Sequence, residues 1–276
     1  MVYIPVDIEE AVKRECRRRK YSERTIKTYI YCINRFLKFA KKDINRISKK
    51  DVRLFLESLS EKGMTVNTMN VNHMAIRFLF EDVLDKRIWI DIKYSKVPEK
   101  LPVVLTKEEV KKLFDVTENP KHKLMMQLMY SAGLRVSELI NLKVNDIELE
   151  KNYGWVRSGK GNKDRLFIIA DSLKDELRKF IDSRKTEWLF TSEREGKYNI
   201  RSLQQIIKRA AKKVGIESKI SPHALRHIFA THLIEDGYSV TEVQSLLGHK
   251  SPETTFVYLH TASPNMIKIK SPLDTL

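Results

Sequence analysis

The chain has 276 residues, enough for one large core or two modest ones, and 52 Lys and Arg against 36 Asp and Glu give a formal net charge of +16. Such a charge favours a polyanionic partner. No apolar run reaches the roughly 20 residues that cross a bilayer, and the N-terminus lacks a signal-peptide layout, so we expect a soluble, cytoplasmic protein with no membrane partner. Cys16 and Cys32 have no CxxC spacing, which argues against disulfide-rich and zinc-binding classes.

The first third of the chain has the apolar spacing of helices. Ser22 is placed to cap one helix, Ser48 opens a second that ends near Gly63, and a third is predicted from about Asn67 to Leu84. The polar faces of this predicted bundle carry many cations: Lys13, Arg14, Arg17, Arg18, Arg19, Lys20, Arg24, Lys27, Arg35, Lys38, Lys41 and Lys42. Each alone is more often a solvated side chain, but together they indicate a surface that follows a phosphate backbone.

The helical pattern stops between Asp91 and Thr106, where Pro98 and Pro102 block helix formation. We therefore predict an N-terminal helical domain at 1–91, a linker at 92–105 and a second domain at 106–276. Thr106 and Glu109 have the spacing of a capping box, which begins the second domain.

The second domain mixes helices with one hairpin. Its first helices run to Tyr130, break at Gly133 and resume from Val136 to Leu142, and the alternating stretch YGWVRSGKGNKDRLFII predicts a β-hairpin. Helices then return at Ser172, near Ile200, at Ser221-Pro222 and at Ser251-Pro252. The predicted fold class is mainly α, with a small antiparallel β-sheet in the C-terminal domain.

The second domain offers a side chain for every step of phosphodiester cleavage without a metal, which needs a nucleophile, cations around the non-bridging oxygens and an acid for the leaving alkoxide. These are Arg135 in SAGLRVSELINL, Lys160 in SGKGNKDR, His223 and Arg226 in SPHALRH, His249 in LLGHKSPETT and Tyr258 in FVYLH. No carboxylate pair suited to magnesium and no histidine spacing of a zinc site accompanies them, so we expect no metal and no cofactor. Each residue alone has an ordinary structural explanation; their conjunction favours chemistry.

In this order the blocks resemble the tyrosine recombinases, the family of Xer proteins and phage integrases, from roughly Leu101 to Tyr258, and archaeal Xer fits best. Over the first domain the resemblance is one of layout only. It implies a helical core-binding domain and a catalytic domain that close as a C-shaped clamp on double-stranded DNA. The tyrosine recombinases need neither ATP nor a metal, because exchange between a phosphodiester and a phosphotyrosine is nearly balanced in energy.

The resemblance also implies a role for each residue of the set. Arg135 and Arg226 would clamp the scissile phosphate, His223 would act as general base or position a proton, Lys160 would protonate the leaving 5′ oxygen, His249 would donate a hydrogen bond to the transition state, and Tyr258 would attack phosphorus to form a 3′-phosphotyrosyl bond. Glu138 would orient Arg135, and His227 would be structural. Spacing alone does not choose between Lys160 and Lys163; the family pattern favours Lys160.

The implied function is site-specific recombination, which we expect to resolve chromosome dimers at a dif-like site. Four protomers would form a homo-tetramer in the synaptic complex through exchange of the C-terminal tail, although the tail could instead fold back on its own domain or be disordered. The alternatives are a phage or plasmid integrase, a type IB topoisomerase and a DNA-binding module that has lost the chemistry. The lack of a further N-terminal DNA-binding domain favours the chromosomal role over the integrase.

Overall fold

The computed structural model describes residues 7–86, 104–157, 164–183, 186–193, 196–216 and 220–248. The chain divides into two compact units, residues 1–99 and 100–276. The predicted linker at 92–105 lies outside the described residues except at positions 104 and 105, so its bounds stay a prediction.

The N-terminal unit is helical throughout its described part, as predicted. Its helices are α1 Ile8–Arg18, α2 Glu23–Ala40, α3 Lys49–Glu61 and α4 Val66–Arg77. Ser22 caps α2 by accepting the amide N–H of Thr25, and the carboxylate of Asp51 accepts the amide N–H of Ser48 at the start of α3. Gly63 follows α3 with a left-handed φ of +66°, which confirms the predicted helix end.

The predicted third helix continues past α4, but its last part is a π-helix, Phe78–Val83. The amide of Leu84 accordingly donates to the carbonyl of Leu79, at a distance of 3.0 Å. Three consecutive side chains, Phe78 to Phe80, are buried here. The π-helix thus contributes to the core of this unit, where Phe80 lies near the ring of Phe36.

The C-terminal unit carries the remaining described helices: α5 Lys107–Asp115, α6 Pro120–Ala132, α7 Val136–Leu139, α8 Lys174–Asp182, α9 Ile200–Lys213, α10 Pro222–Glu235 and α11 Val240–Leu247. The capping box of Thr106 and Glu109 begins α5, and Ser221 with Pro222 begins α10, as predicted. None of the helices within the described ranges is both long enough and apolar enough to cross a membrane.

A three-stranded antiparallel sheet, in the order β1-β2-β3, packs in the same unit. Its strands are β1 Ile147–Glu148, β2 Tyr153–Val156 and β3 Arg165–Ile168. Strands β2 and β3 form the predicted hairpin, with Val156 opposite Arg165. The short strand β1 was not predicted. The predicted fold class, mainly α with a small antiparallel sheet, is thus confirmed.

Two predicted helix bounds in this unit are wrong. Helix α7 ends at Leu139 instead of Leu142, because the backbone of Leu142 and Val144 pairs with residues 187–189. Helix α8 begins at Lys174, after a 3-10 turn that occupies the predicted start at Ser172. The helix predicted at Ser251-Pro252 lies outside the described residues.

Candidate active site

Arg226, on α10, is the largest of the fully buried side chains among the described residues. Its Nη1 donates to the carbonyl of Gly133 and its Nη2 to the carbonyl of Leu247, both at 2.6 Å. These carbonyls lie at the C-terminal ends of α6 and α11, where unpaired carbonyls and the helix dipole concentrate negative charge. One guanidinium group therefore holds the ends of two helices together.

The two helix ends lead directly into predicted site residues, because Gly133 precedes Arg135 by two positions and Gly248 precedes His249. Both glycines have left-handed backbones, with φ of +56° at Gly133 and +63° at Gly248. A Cβ atom at Gly133 would lie 2.5 Å from the ring of Phe229. Glycine is thus required at Gly133 by both conformation and space, and it fixes the path of the chain into Arg135.

The carboxylate of Glu138 contacts the guanidinium groups of three arginines. Its Oε1 accepts from Nη1 of Arg135 at 2.6 Å, and its Oε2 accepts from the backbone amide of Arg135 at 3.0 Å. The same Oε2 accepts from Nη2 of Arg165 at 2.7 Å and lies 3.8 Å from Nη1 of Arg226. Three cations around one carboxylate leave the cluster with an excess of positive charge, which suits a phosphate.

The carboxylate of Glu138 is buried, with 5% of its side chain exposed. Burial alone would raise its pKa, but the charge of Arg165 and the hydrogen bonds from Arg135 and Arg165 outweigh this, and the pKa lies below its usual value. Glu138 is therefore ionised at neutral pH. The predicted contact between Glu138 and Arg135 is present, and it limits the directions in which Arg135 can point.

His223 and His227, two of the three histidines of α10, differ in exposure. His223 is exposed, while His227 is partly buried one turn later, with ring centroids 4.4 Å apart. Burial, followed by the charges of His223 and Arg226, lowers the pKa of His227 to about 4. His227 is therefore neutral at neutral pH, which agrees with a structural role.

Sequence reasoning missed Arg165, the last residue of the SGKGNKDR block. Its side chain is 11% exposed, and it reaches both Glu138 and the carbonyl of Leu246, the latter at 2.7 Å. The only signal in the sequence was its position at the start of a strand that had been predicted to alternate. Alternation alone does not tell a buried arginine from an exposed one.

Of the six predicted site residues, the described part of the chain brings Arg135 and Arg226 together at Glu138 and places His223 one turn from Arg226. Lys160, its alternative Lys163, His249, Tyr258 and the C-terminal tail lie outside the described residues, so their roles stay predictions. Nor do the described residues contain a group of three or more His, Cys, Asp or Glu side chains that could hold a metal ion.

The predicted phosphate-following surface of the N-terminal unit is partly neutralised by its own carboxylates. Arg18 and Arg19 bind Glu15, Arg19 also binds Asp82, and Lys42 binds Asp51. A second group of these cations has no carboxylate within 4 Å among the described residues: Arg14, Lys20, Arg24, Lys27, Lys38 and Lys41. This second group retains the positive charge that an anion would meet.

Comparison with known proteins finds similarity over nearly the whole chain. A family model described as the phage integrase family matches residues 103–264, and one described as a phage integrase N-terminal SAM-like domain matches residues 8–90. Tyrosine recombinase XerA of Thermococcus kodakarensis is 39% identical over 246 residues, which cover 86% of this chain and 84% of that protein.

Solved structures share the fold. A crystal structure of XerA recombinase matches with a TM-score of 0.57 and 30% identity, over 95% of this chain and 97% of that one. The XerH site-specific recombinase bound to a palindromic difH substrate, in a post-cleavage complex, matches with a TM-score of 0.74 over 96% of this chain and 84% of that one. At 22% identity, this second likeness is one of fold alone.

Proposed function

This chain belongs to the phage integrase family, as a tyrosine recombinase of the Xer type, and on that premise we propose that it resolves chromosome dimers at a dif-like site. Enzymes of this family cleave and rejoin DNA strands. The chemistry in this proposal is supported by the convergence of Arg135 and Arg226 on Glu138, one helical turn from His223, and the chromosomal role by the similarity to XerA. This arrangement supplies positive charge in a protected site, where charge that develops on a phosphate is stabilised most strongly.

In the proposed first step, the hydroxyl oxygen of Tyr258 attacks the scissile phosphorus and the bond from phosphorus to the 5′ oxygen breaks. His223 accepts or positions the tyrosine proton, and Lys160 gives a proton to the departing 5′ oxygen. The product is a 3′-phosphotyrosyl bond and a free 5′ hydroxyl. Rejoining is the reverse reaction with a 5′ hydroxyl from another strand, and the number of phosphoester bonds stays constant.

The arginines serve the non-bridging oxygens of that phosphate. Arg135 keeps 22% of its side chain exposed while Glu138 holds one of its nitrogens, so the rest of its planar fork can face a ligand. Arg226 is buried, and its nitrogens lie on two helix-end carbonyls. Contact of Arg226 with a phosphate therefore requires that DNA binding rearrange or share these hydrogen bonds. His249 completes the set as a hydrogen-bond donor to the transition state.

The proposed partner is a double-stranded DNA recombination site. Cations of the N-terminal unit with no carboxylate within 4 Å among the described residues would neutralise backbone phosphates, while the C-terminal unit would hold the scissile phosphate. Four protomers would assemble on two sites as a homo-tetramer and exchange their tails. A cytoplasmic location follows from this proposal, since the DNA site would be chromosomal.

The experiment that tests the chemistry compares wild type with Tyr258→Phe on a nicked duplex that carries a candidate site, in chelator and without added metal. Labelled DNA shifted with protein on a denaturing gel is expected for wild type and absent for Tyr258→Phe. The matched control is Tyr238→Phe, since Tyr238 is an exposed tyrosine outside the site and its loss should leave the adduct unchanged. Adducts in both Tyr258→Phe and wild type would contradict the assignment of the nucleophile.

The recombination role is tested with a plasmid that carries two dif-like sites. Exchange between the sites supports a recombinase, whereas relaxed circles alone would favour the topoisomerase alternative. No adduct at a site that the protein demonstrably binds would favour the non-catalytic module.

The proposed tail exchange needs its own test. Deletion of residues 264–276 should reduce cooperative binding to a two-arm site and leave cleavage by a single bound protomer intact. Unchanged cooperativity would contradict the exchange.

A further inference from the structure

Arg165 connects segments of the C-terminal unit that are far apart in sequence. Its Nη2 donates to Oε2 of Glu138 at 2.7 Å, and its Nη1 donates to the carbonyl of Leu246 at 2.7 Å. The aliphatic part of its side chain lies against Gly248, where a Cβ atom would be 2.8 Å from Cδ of Arg165. The guanidinium reaches these two acceptors with two separate nitrogens at a fixed spacing, an arrangement that the single nitrogen of a lysine does not reproduce.

Each of these contacts lies next to a residue with a proposed role in the reaction. Glu138 holds Arg135 through two hydrogen bonds. Leu246 and Gly248 form the end of α11, immediately before His249. Arg165 itself is the first residue of β3 and lies five positions after Lys160 in the sequence. Substitution of Arg165 would therefore alter both the orientation of Arg135 and the position of the end of α11, which precedes His249.

Charge gives a second reason for an arginine here. The carboxylate of Glu138 makes its shortest contacts with Arg135 and Arg165, and Nη1 of Arg226 lies farther away, 3.8 Å from Oε2. Without Arg165, the negative charge of Glu138 would be compensated only by Arg135 and Arg226, the two arginines proposed to clamp the phosphate. Their attraction for the transition state would then be weaker, and Arg135 would be oriented by one partner that is itself less constrained.

We propose that Arg165 is a positioning residue for DNA cleavage, acting through Glu138 on Arg135 and through the end of α11 on His249. This proposal rests on the proposed function. Since Arg165 is largely buried and both of its terminal nitrogens, Nη1 and Nη2, donate within the protein, the role concerns the chemical step and not the affinity for DNA.

The test is single-turnover adduct formation at increasing DNA concentration, which separates the maximal rate from the half-saturating concentration. Arg165→Ala should lower the maximal rate about a hundredfold, as expected when catalytic groups are misplaced, and leave half-saturation within about threefold of wild type. Arg165→Lys should lose at least about tenfold, because a single ammonium nitrogen does not reproduce the spacing of the two guanidinium nitrogens that bond Glu138 and Leu246. The matched control is Arg178→Ala, which removes an exposed arginine bound to Glu150 and should behave as wild type.

A double-mutant cycle with Glu138→Gln separates positioning from general damage. If Arg165 acts mainly through Glu138, Arg165→Ala should cost at most about tenfold in the Glu138→Gln background, well below its cost in wild type. Thermal unfolding of each variant fixes an assay temperature at which all are folded, and if Arg165→Ala does not fold, the Arg165→Lys result decides.

Three results would overturn the proposal: a maximal rate for the folded Arg165 variants close to that of wild type, a loss confined to half-saturation, or equal costs in both backgrounds. Absence of an adduct with wild type would instead contradict the proposed function, so the two failures are distinguishable.

Discussion

The two units of the chain use the same kind of side chain in different ways. In the N-terminal unit, Arg18 and Arg24 are exposed, one bound to a surface carboxylate and the other with none within 4 Å. In the C-terminal unit, Arg135, Arg165 and Arg226 are 22%, 11% and 1% exposed at their side chains and converge on Glu138. On the proposed function, the first arrangement would distribute affinity for DNA over many weak contacts, and the second would concentrate the chemistry in a few groups.

The contrast follows from electrostatics. An exposed ion pair contributes about 0–1 kcal/mol because water and salt screen it, whereas removal of one partner from a buried pair costs about 3–5 kcal/mol. We therefore expect substitutions in the first unit to act weakly on DNA binding and substitutions in the second to act strongly on folding or cleavage.

Replacement of Arg226 should have the largest effect. Arg226→Leu leaves the helix-end carbonyls of Gly133 and Leu247 without their donor and should lower the free energy of unfolding of the C-terminal unit by about 3–5 kcal/mol. Denaturant unfolding followed by circular dichroism measures this, with the exposed Arg178→Ala as control. A loss no larger than that of the control would contradict the proposed bracing of two helices.

The glycines give a paired test across the two units. Gly133→Ala combines a left-handed backbone with a Cβ 2.5 Å from Phe229 and should cost about 2–4 kcal/mol, whereas Gly63→Ala meets nothing within 4 Å and should cost about 1–2 kcal/mol. Thermal melting of the two variants compares the costs. Equal losses would mean that the packing around Gly133 yields to a methyl group.

On the surface of the first unit, Arg24→Ala and Arg18→Ala form a matched pair. Arg24 has no carboxylate within 4 Å among the described residues, while Arg18 binds Glu15 at 2.6 Å. If Arg24 neutralises a phosphate, its loss should weaken DNA binding a few-fold. It should also reduce by about 1 the slope of the logarithm of the binding constant against the logarithm of the salt concentration, with a smaller change for Arg18→Ala. Binding isotherms at several salt concentrations measure both quantities. An unchanged slope for Arg24→Ala would mean that Arg24 does not contact a phosphate.

The smallest expected effect is the response to acid at His227. Its pKa is about 4 in the folded chain and 6.5 ordinarily, so the folded state binds this proton later than the unfolded state, and stability falls as pH drops from about 6.5 towards 4. After allowance for partial exposure, the loss at pH 5 should be about 1 kcal/mol. His227→Gln should show less loss between pH 7 and pH 5 than wild type, by denaturant unfolding at both values. An equal loss of stability in His227→Gln and wild type would mean that groups other than His227 cause the response to acid.

Local signals in the sequence predicted much of this fold. Ser22, Thr106 with Glu109, and Ser221 with Pro222 begin helices as expected, because a cap satisfies amides within one turn. The end of α7 depends on pairing with residues 187–189 and could not be predicted from local spacing, and local spacing predicted a regular helix where Phe78–Val83 is a π-helix.

The residues of the candidate site, like the helices, divide into those that local motifs indicate and those that depend on contacts between distant segments. Arg135, His223 and Arg226 were found because they stand in motifs with fixed spacing. Arg165 and the burial of Arg226 were missed, since both result from contacts between segments far apart in the chain. The charge of these arginines could be read from the sequence, but the carboxylate and carbonyls that they bind could not.

Arg135→Ala separates the two kinds of cation, because we propose that the arginines around Glu138 serve cleavage while the surface cations serve affinity for DNA. We would measure its covalent adduct formation at saturating DNA, with the dissociation constant determined on the same duplex. We expect no detectable adduct and a dissociation constant within a few-fold of wild type, because many phosphate contacts share the affinity. Adduct formation at the wild-type rate would contradict this proposal.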